Sequence, residues 1–494
     1  MNLRGENMAK ISLKYFFQKE PAGEGMVANR NIIHYATGLA GQNIHYSYIS
    51  GWLRYFCINV LHIDEKKVGN IFTLSYFWDA INDPIVGAYI DRRKHKPYNK
   101  LRPFLLYFPP LIGALGMLMF MNVPFEENGK LAYILVLYFV WDFFYSFQDV
   151  GLWGMIALSS TKSEERARVA QWVSIGAGTG STIAGAFQFL RGMLKLDDTT
   201  VFVLFGVLFA LGGQLISMYA HKMPEMTESP EPEKGNVLKS ITILRHNPTL
   251  LLISLARFSQ GLSPKVQNAY FFENALTFVN RDTGKMLETV FGILAGVPGA
   301  VAMPFANKIA KKIGGMKKLL VISQVAAIVL RVAVYFVGYD SWPRFITMSL
   351  LISLVNLPGT LMDIAHRSLT SDSIDEVELK TGVRTEGISF SMQNFTSKMT
   401  SAASTFIESR MLSLLDFDRF AASEGRKQGA KFIKWQWPMF MLGPVVGAVL
   451  YLIIISFIKD DKAHKAEVER LLTERKEALS QKTSAENAIS SENT

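Results

Sequence analysis

Three runs of the chain, residues 103–125, 201–220 and 438–458, contain no Asp, Glu, Lys or Arg. A hydrocarbon layer about 30 Å thick is crossed by about 20 apolar helical residues, so each run is long enough to span it. Nine further runs share the apolar bias but are broken by Gly, Pro, Ser, Asn and a few charges: 31–59, 67–91, 131–159, 168–192, 249–274, 286–307, 319–338, 344–364 and 386–411. Such helices suit the lining of a polar cavity better than contact with lipid alone. The pattern predicts twelve transmembrane helices, the run at 386–411 resting partly on a resemblance described below.

Residues 222–247 interrupt the pattern with Pro224, Pro230 and Pro232 among Glu225, Glu228, Glu231 and Glu233, and read as a cytoplasmic linker. The chain then divides into an N-terminal segment (1–30), a six-helix half (31–221), the linker, a second six-helix half (248–458) and a tail (459–494). A basic loop follows the second span of each half. In the first it holds Arg92, Arg93, Lys94, Lys96, Lys100 and Arg102; in the second, Lys308, Lys311, Lys312, Lys317 and Lys318. Two parallel six-helix halves produce such a correspondence. Excess Lys and Arg mark the cytoplasmic face, and an even number of spans puts both termini there. The first thirty residues show no signal-peptide pattern, so the first span is expected to direct insertion into the plasma membrane. The tail reads either as a solvated cytoplasmic segment or as a regulatory partner site.

Composition narrows the function classes. Of 494 residues 49% are hydrophobic and 19% charged, against about 25% charged in soluble domains, so the polar surface for several soluble cores is missing. The net charge of +10 is explained mostly by the basic loops, which leaves no need for a nucleic-acid partner. The single Cys57 excludes an internal disulfide framework and a cysteine-rich zinc site. No Ser/His/Asp order, HExxH, Walker loop or paired-cysteine motif supports an enzyme, and no cofactor is expected beyond a coupling cation.

Charge inside the membrane carries the remaining chemistry. Asp79 and Asp83, in Trp78-Asp79-Ala80-Ile81-Asn82-Asp83-Pro84, are four residues apart and share a helix face. Two bare carboxylates there repel one another and resist desolvation. A bound cation or a proton relieves both costs, unless one aspartate forms a structural pair with a lysine. Hard cations such as Na+ favour oxygen ligands. In the fourth span Tyr145-Ser146-Phe147-Gln148-Asp149 precedes Trp153. Asp149 can accept bonds from two sugar hydroxyls, and the indole can stack on a pyranose. Lys398, mid-span in the eleventh run, either balances the carboxylates or snorkels to an interface.

These motifs are recognisable. The stretch Trp78-Asp79-Ala80-Ile81-Asn82-Asp83-Pro84-Ile85-Val86-Gly87, continuing to Asp91-Arg92 and Lys100-Leu101-Arg102-Pro103, closely resembles the signature of the glycoside–pentoside–hexuronide:cation symporters. Asp372-Ser373-Ile374-Asp375 and the run Lys380-Thr381-Gly382-Val383-Arg384-Thr385-Glu386-Gly387 look like that family's loop into helix eleven. The resemblance covers about residues 30–460. It implies an all-α membrane protein of major-facilitator fold, twelve helices in two six-helix halves, and cation-coupled sugar uptake by alternating access. It also implies cation-site roles for Asp79, Asp83, Ser146 and Asp149, with Na+ the candidate metal and H+ or Li+ the other ions. Ser146 stands where the family's melibiose carrier has a threonine. Tyr145, Asp149 and Trp153 match positions near its sugar, and Lys398 its helix-eleven lysine.

The same likeness exposes departures. The helix-one aspartate of the sugar site corresponds to Asn43, the preceding lysine to Gln42, the helix-five arginine to Ser174 and the helix-ten tryptophan to Asp363. The cation machinery is expected to be kept and the sugar pocket, with Asn43 and Asp363, rewritten. Asp91, Arg92, Arg102, Asp372 and Arg384 are expected to latch the cytoplasmic side. Arg257 and Arg331, in otherwise apolar spans, either recognise a uronic-acid carboxylate or make structural contacts, with Asp363 or at an interface. The expected substrate is a glycoside, oligosaccharide or hexuronide. The alternatives are a sodium symporter for a lysolipid or other amphiphile, with a cavity open to lipid, and a transport-dead membrane sensor.

Overall fold

The computed structural model describes residues 26–92, 99–160, 163–226, 247–276, 278–302, 305–381, 386–421, 424–458 and 470–471. Each expected span contains helix among the described residues, which is consistent with the expected twelve. The first half runs through α1 (Asn29–Asn59), α2 (Glu65–Arg92), α3 (Arg102–Leu118), α4 (Glu127–Leu158), α5 (Ser163–Gly185), α6 (Phe187–Leu194) and α7 (Asp198–Phe205). A π-helical turn at Gly206–Leu211 then leads into α8 (Gly212–Ser217). The second half comprises α9 (Pro248–Gly261), α10 (Asn268–Asn274), α11 (Arg281–Ala302), α12 (Ala306–Ile313), α13 (Met316–Val337), α14 (Trp342–Thr381), α15 (Glu386–Leu414), α16 (Ala430–Met441) and α17 (Gly443–Ser456). Among the described residues, five helical runs are long and apolar enough to cross a membrane: Glu127–Ile156, Asp198–Lys222, Met316–Val337, Trp342–Met362 and Ala430–Ser456.

Some boundaries differ from the hydropathy reading, each for a local reason. The seventh run is not one helix: Ser263 and Pro264 unwind the chain between α9 and α10, because proline cannot supply the N–H that helix continuation needs. Helix α14 continues to Thr381, past the expected end at 364. Its polar extension lacks the apolar content that marks a span, yet nothing in it breaks a helix.

Small residues set a close helix contact. On α5, Gly176 and Gly180 are four apart, and α1 lies directly on them. A Cβ at Gly176 would stand 2.1 Å from the Ala36 carbonyl oxygen, and one at Gly180 2.1 Å from that of Ala40. Such spacing lets two backbones approach within a membrane. Gly180→Val should force α1 and α5 apart, cost about 1–3 kcal/mol and lower the unfolding midpoint by a few degrees. An unchanged midpoint would contradict this packing. The linker is anchored where it begins: Glu225 accepts the backbone N–H of Lys100 at 2.8 Å, Leu101 at 2.8 Å and Arg102 at 3.2 Å, so a carboxylate caps the positive end of α3.

At the opposite end from the linker, the two halves meet in a charged seam. Arg191 of α6, fully buried, reaches Glu273 of α10 at 2.8 Å and Asp198 at 2.6 Å. Glu273 also holds Arg281 at 2.6 Å and accepts the Tyr55 hydroxyl at 2.6 Å. Gln188 donates to Glu273 at 3.0 Å and to Glu288 at 2.9 Å. Beside this cluster Arg54 of α1 pairs with Glu408 of α15 at 2.6 Å, and Arg410 donates to Asn70 at 3.0 Å. Tyr55, Phe202, Tyr270 and Phe432, drawn from both halves, form one apolar core around the charges. Buried ions are tolerable here because guanidinium and carboxylate are paired and hydrogen-bonded.

A polar cavity between the halves

A cavity of about 500 Å³ lies between α1, α2 and α4 of the first half and α15 of the second. It brings together most of the site residues expected from the sequence: Asn43, Asp79, Tyr145, Ser146, Asp149, Trp153 and Lys398 all line it. The side chains of Asp83, Asp91, Arg92 and Asp363, and the whole of Arg384, lie outside the described residues. Of the expected latch, Arg102 donates from Nε to the His221 carbonyl at 2.9 Å, within its own half, and does not bond Asp372 of α14.

The helical repeat explains why one face of α4 is polar. Asp142, Ser146 and Asp149 are four and three residues apart, so they share a stripe facing the cavity. Asp142 was not anticipated from the sequence, although that spacing inside an otherwise apolar span was its signal. Opposite, Asn82 of α2 donates to Asp142 Oδ2 at 3.2 Å and to Ser146 Oγ at 2.9 Å. Asn82, Asp142 and Ser146 are all buried. Asp149 lies two turns along, about 10 Å at 1.5 Å per residue. Two unit charges at that distance repel by about 1.6 kcal/mol at an effective dielectric of about 20. Among the described residues, no three His, Cys, Asp or Glu side chains converge as metal ligands. The carboxylates thus form a row along the cavity, not a single cluster.

Around Asp149 the site changes character. Gln42 donates through Nε2 to Asp149 Oδ1 at 3.1 Å and to the Tyr145 hydroxyl. Asn43, expected to meet the ligand, spends its amide hydrogens within α1: they go to the Leu39 carbonyl at 3.0 Å and to Gln42 Oε1 at 2.8 Å. Asn43 therefore orients Gln42, and Gln42 stands next to the carboxylate. Tyr145 is sandwiched between Trp141, at a ring separation of 5.0 Å, and Tyr46, at 5.4 Å. Tyr46 and Trp153 leave 44% and 46% of their surface exposed, so each offers a ring face to the cavity. Aromatic faces beside hydrogen-bonding carboxylates and amides suit a polyhydroxylated ring.

Comparison with known proteins fits this architecture. A family model described as MFS/sugar transport protein matches residues 34–462. The chain belongs to that family. It is therefore a multi-pass membrane transporter of the major-facilitator class and not an enzyme. A protein of Escherichia coli K12 described as a candidate sulfoquinovose importer is 26% identical over 422 residues, covering 83% of this transporter and 87% of that protein. The lactose permease of Lactobacillus delbrueckii subsp. bulgaricus is 24% identical over 406 residues, covering 76% of this chain and 62% of the permease. Among solved structures, a D-xylose–proton symporter superposes with a TM-score of 0.58 at 10% identity, over 87% of this transporter and 98% of that chain. At that identity the likeness carries the fold alone.

Proposed function

We propose that this transporter is a cation-coupled sugar symporter, that Na+ is its ion, and that it works by alternating access in the plasma membrane bilayer. The observation that carries the reading is the shared cavity, where a row of carboxylates from α2 and α4 faces Lys398 of the opposite half. The names of the relatives (a sulfoquinovose importer, a lactose permease) support a sugar as substrate. Asp79, Asn82, Asp142 and Ser146 supply hard oxygen donors for the cation. Gln42, Tyr145, Asp149 and Trp153 supply hydrogen bonds and a ring face for the sugar. Cation binding neutralises the carboxylate row and fixes α2 against α4. This leaves Asp149 poised for sugar, so each ligand strengthens the other by the same factor. Lys398 serves as counter-charge when the cation is absent.

The basic loops assign the linker end to the cytoplasm, which makes the charged seam the closed external gate and the conformation inward-facing. Rocking of the halves then requires the Arg191–Glu273 cluster to open. The orientation is directly testable, because the single native cysteine, Cys57, is buried and contributes no background. Lys96→Cys should react with an impermeant thiol reagent in inside-out vesicles only; labelling of intact cells would reverse the assignment. The substrate class is tested by thermal unfolding of the purified protein against sugars. A stabilising sugar should act more strongly with Na+ than with K+. Equal protection in both salts would exclude Na+ coupling.

A further inference from the structure

A second cavity, of about 510 Å³, lies inside the C-terminal half, and its chemistry is the reverse of the first. Its wall carries Arg257, Lys265, Arg331, Gln324, Asn356 and His366, and no aspartate or glutamate among the described residues. The two arginines there have only weak, neutral partners among the described residues. Arg257 Nη1 is 3.4 Å from Gln393 Oε1, and Arg331 Nη1 is 3.5 Å from the Phe440 carbonyl. Lys265 is within electrostatic range of Glu408, whose Oε2 pairs with Arg54 at 2.6 Å. The alternative pairing of Arg257 or Arg331 with Asp363 falls on a side chain outside the described residues.

Nor does Arg331 reach toward lipid. At 100° per residue, Ile322, Val329 and Phe336 fall on the side of α13 opposite Arg331, and these three are exposed. Gln324, seven residues before Arg331, shares its inward face. An unpaired guanidinium inside a helical bundle is costly, and arginine cannot escape by losing its proton. His366 adds an independent pointer. It is 3% exposed, its Nε2 is bonded to the Tyr451 hydroxyl at 2.7 Å, and its Nδ1 is buried without a hydrogen-bond partner.

We propose that this cavity is a binding site for an oxyanion group, such as a carboxylate, sulfonate or sulfate, held by Arg257 and Arg331 with Lys265 and His366 completing it. A guanidinium fork matches such a group in two parallel hydrogen bonds. Two sources share that chemistry: the acid group of a transported sugar, and a free inorganic oxyanion. Gln393, the neighbour of Arg257, is five residues from Lys398 on α15, about 8 Å along the helix, so the two cavities flank the same helix. Only the transported-acid source rests on the symport reading; the site itself does not.

The test is thermal unfolding and direct binding on the full-length purified protein at fixed Na+, comparing sodium glucuronate, sodium sulfate, glucose with sodium chloride, and sodium chloride alone. Glucuronate or sulfate should raise the unfolding midpoint by about 3 °C over chloride near saturation. Arg331→Gln and Arg257→Gln should each weaken that binding about tenfold or more. Without any anion, Arg331→Gln should unfold no earlier than wild type, because it removes an uncompensated charge. Protection by glucuronate and not sulfate assigns the site to a sugar acid; protection by sulfate alone assigns it to a free anion. Neither protecting beyond chloride, or Arg331→Gln binding as wild type does, would overturn the site. So would an early-unfolding Arg331→Gln whose conservative Arg331→Lys counterpart shows no anion effect. Any of those failures would leave Na+-dependent protection by a neutral sugar, and hence the symport reading, untouched.

Discussion

Asp142→Asn should abolish Na+-driven sugar accumulation while leaving a folded, inserted protein. The substitution keeps the shape and an oxygen that can accept from Asn82, so the Asn82–Asp142–Ser146 contact that joins α2 to α4 survives. What disappears is the negative charge. Losing a charge-assisted contact costs about 1.5–3 kcal/mol, or roughly tenfold to a hundredfold in Na+ affinity. Asp79→Asn should behave alike, because Asp79 lines the same cavity. Both variants should retain downhill sugar exchange, which needs no ion gradient. Asp149→Asn should differ: Asp149 stands beside Gln42 and Tyr145, so its loss should weaken sugar binding first. Concentrative uptake by Asp142→Asn at the wild-type level would remove that residue from the cation site.

Breaking the charged seam, the proposed external gate, should have the other large effect. Glu273→Gln leaves Arg191, fully buried, and Arg281 without their shared carboxylate. Removing one member of a buried ion cluster costs about 3–5 kcal/mol. That cost falls only on the conformation in which the seam is closed, so the equilibrium should shift by a factor on the order of a hundred to a thousand toward the outward-open state. Spin labels or fluorophores on the external ends of α6 and α11 should then move apart, and net uptake should slow because the carrier rarely reseals. Adding Arg191→Met should restore much of the closed population, since it removes the surplus positive charge that Asp198 no longer balances beside Arg281 and Lys285. An unmoved distance with a lowered unfolding midpoint would make the cluster a fold element and not a gate.

What the sequence revealed and what it hid separate along physical lines. Hydropathy locates a helix only while it is in lipid, so the apolar runs were readable while the polar extension of α14 to Thr381 was not. Spacing along one helix reveals a shared face: Ser146 and Asp149 were found that way, and Asp142 was open to the same argument. Contacts between helices leave no such trace. The amide of Gln42 against Asp149 spans 107 positions and Arg191 against Glu273 spans 82, and both seam residues sit near ends of apolar runs, where charge is ordinary. Asn43 illustrates the limit. Its place beside the cavity was legible, but its donors were already taken by Leu39 and Gln42, which only the folded geometry reveals.

The most direct test of the central claim is sugar uptake into proteoliposomes containing only this protein, started by an inward Na+ gradient. The sugar is one identified by Na+-dependent thermal protection. Na+-coupled symport should give transient accumulation above the external concentration, collapse of that overshoot when Na+ is equalised across the membrane, and no overshoot for Asp142→Asn. Uptake that only equilibrates, at a rate indifferent to the Na+ gradient, would contradict Na+-coupled symport by this cavity.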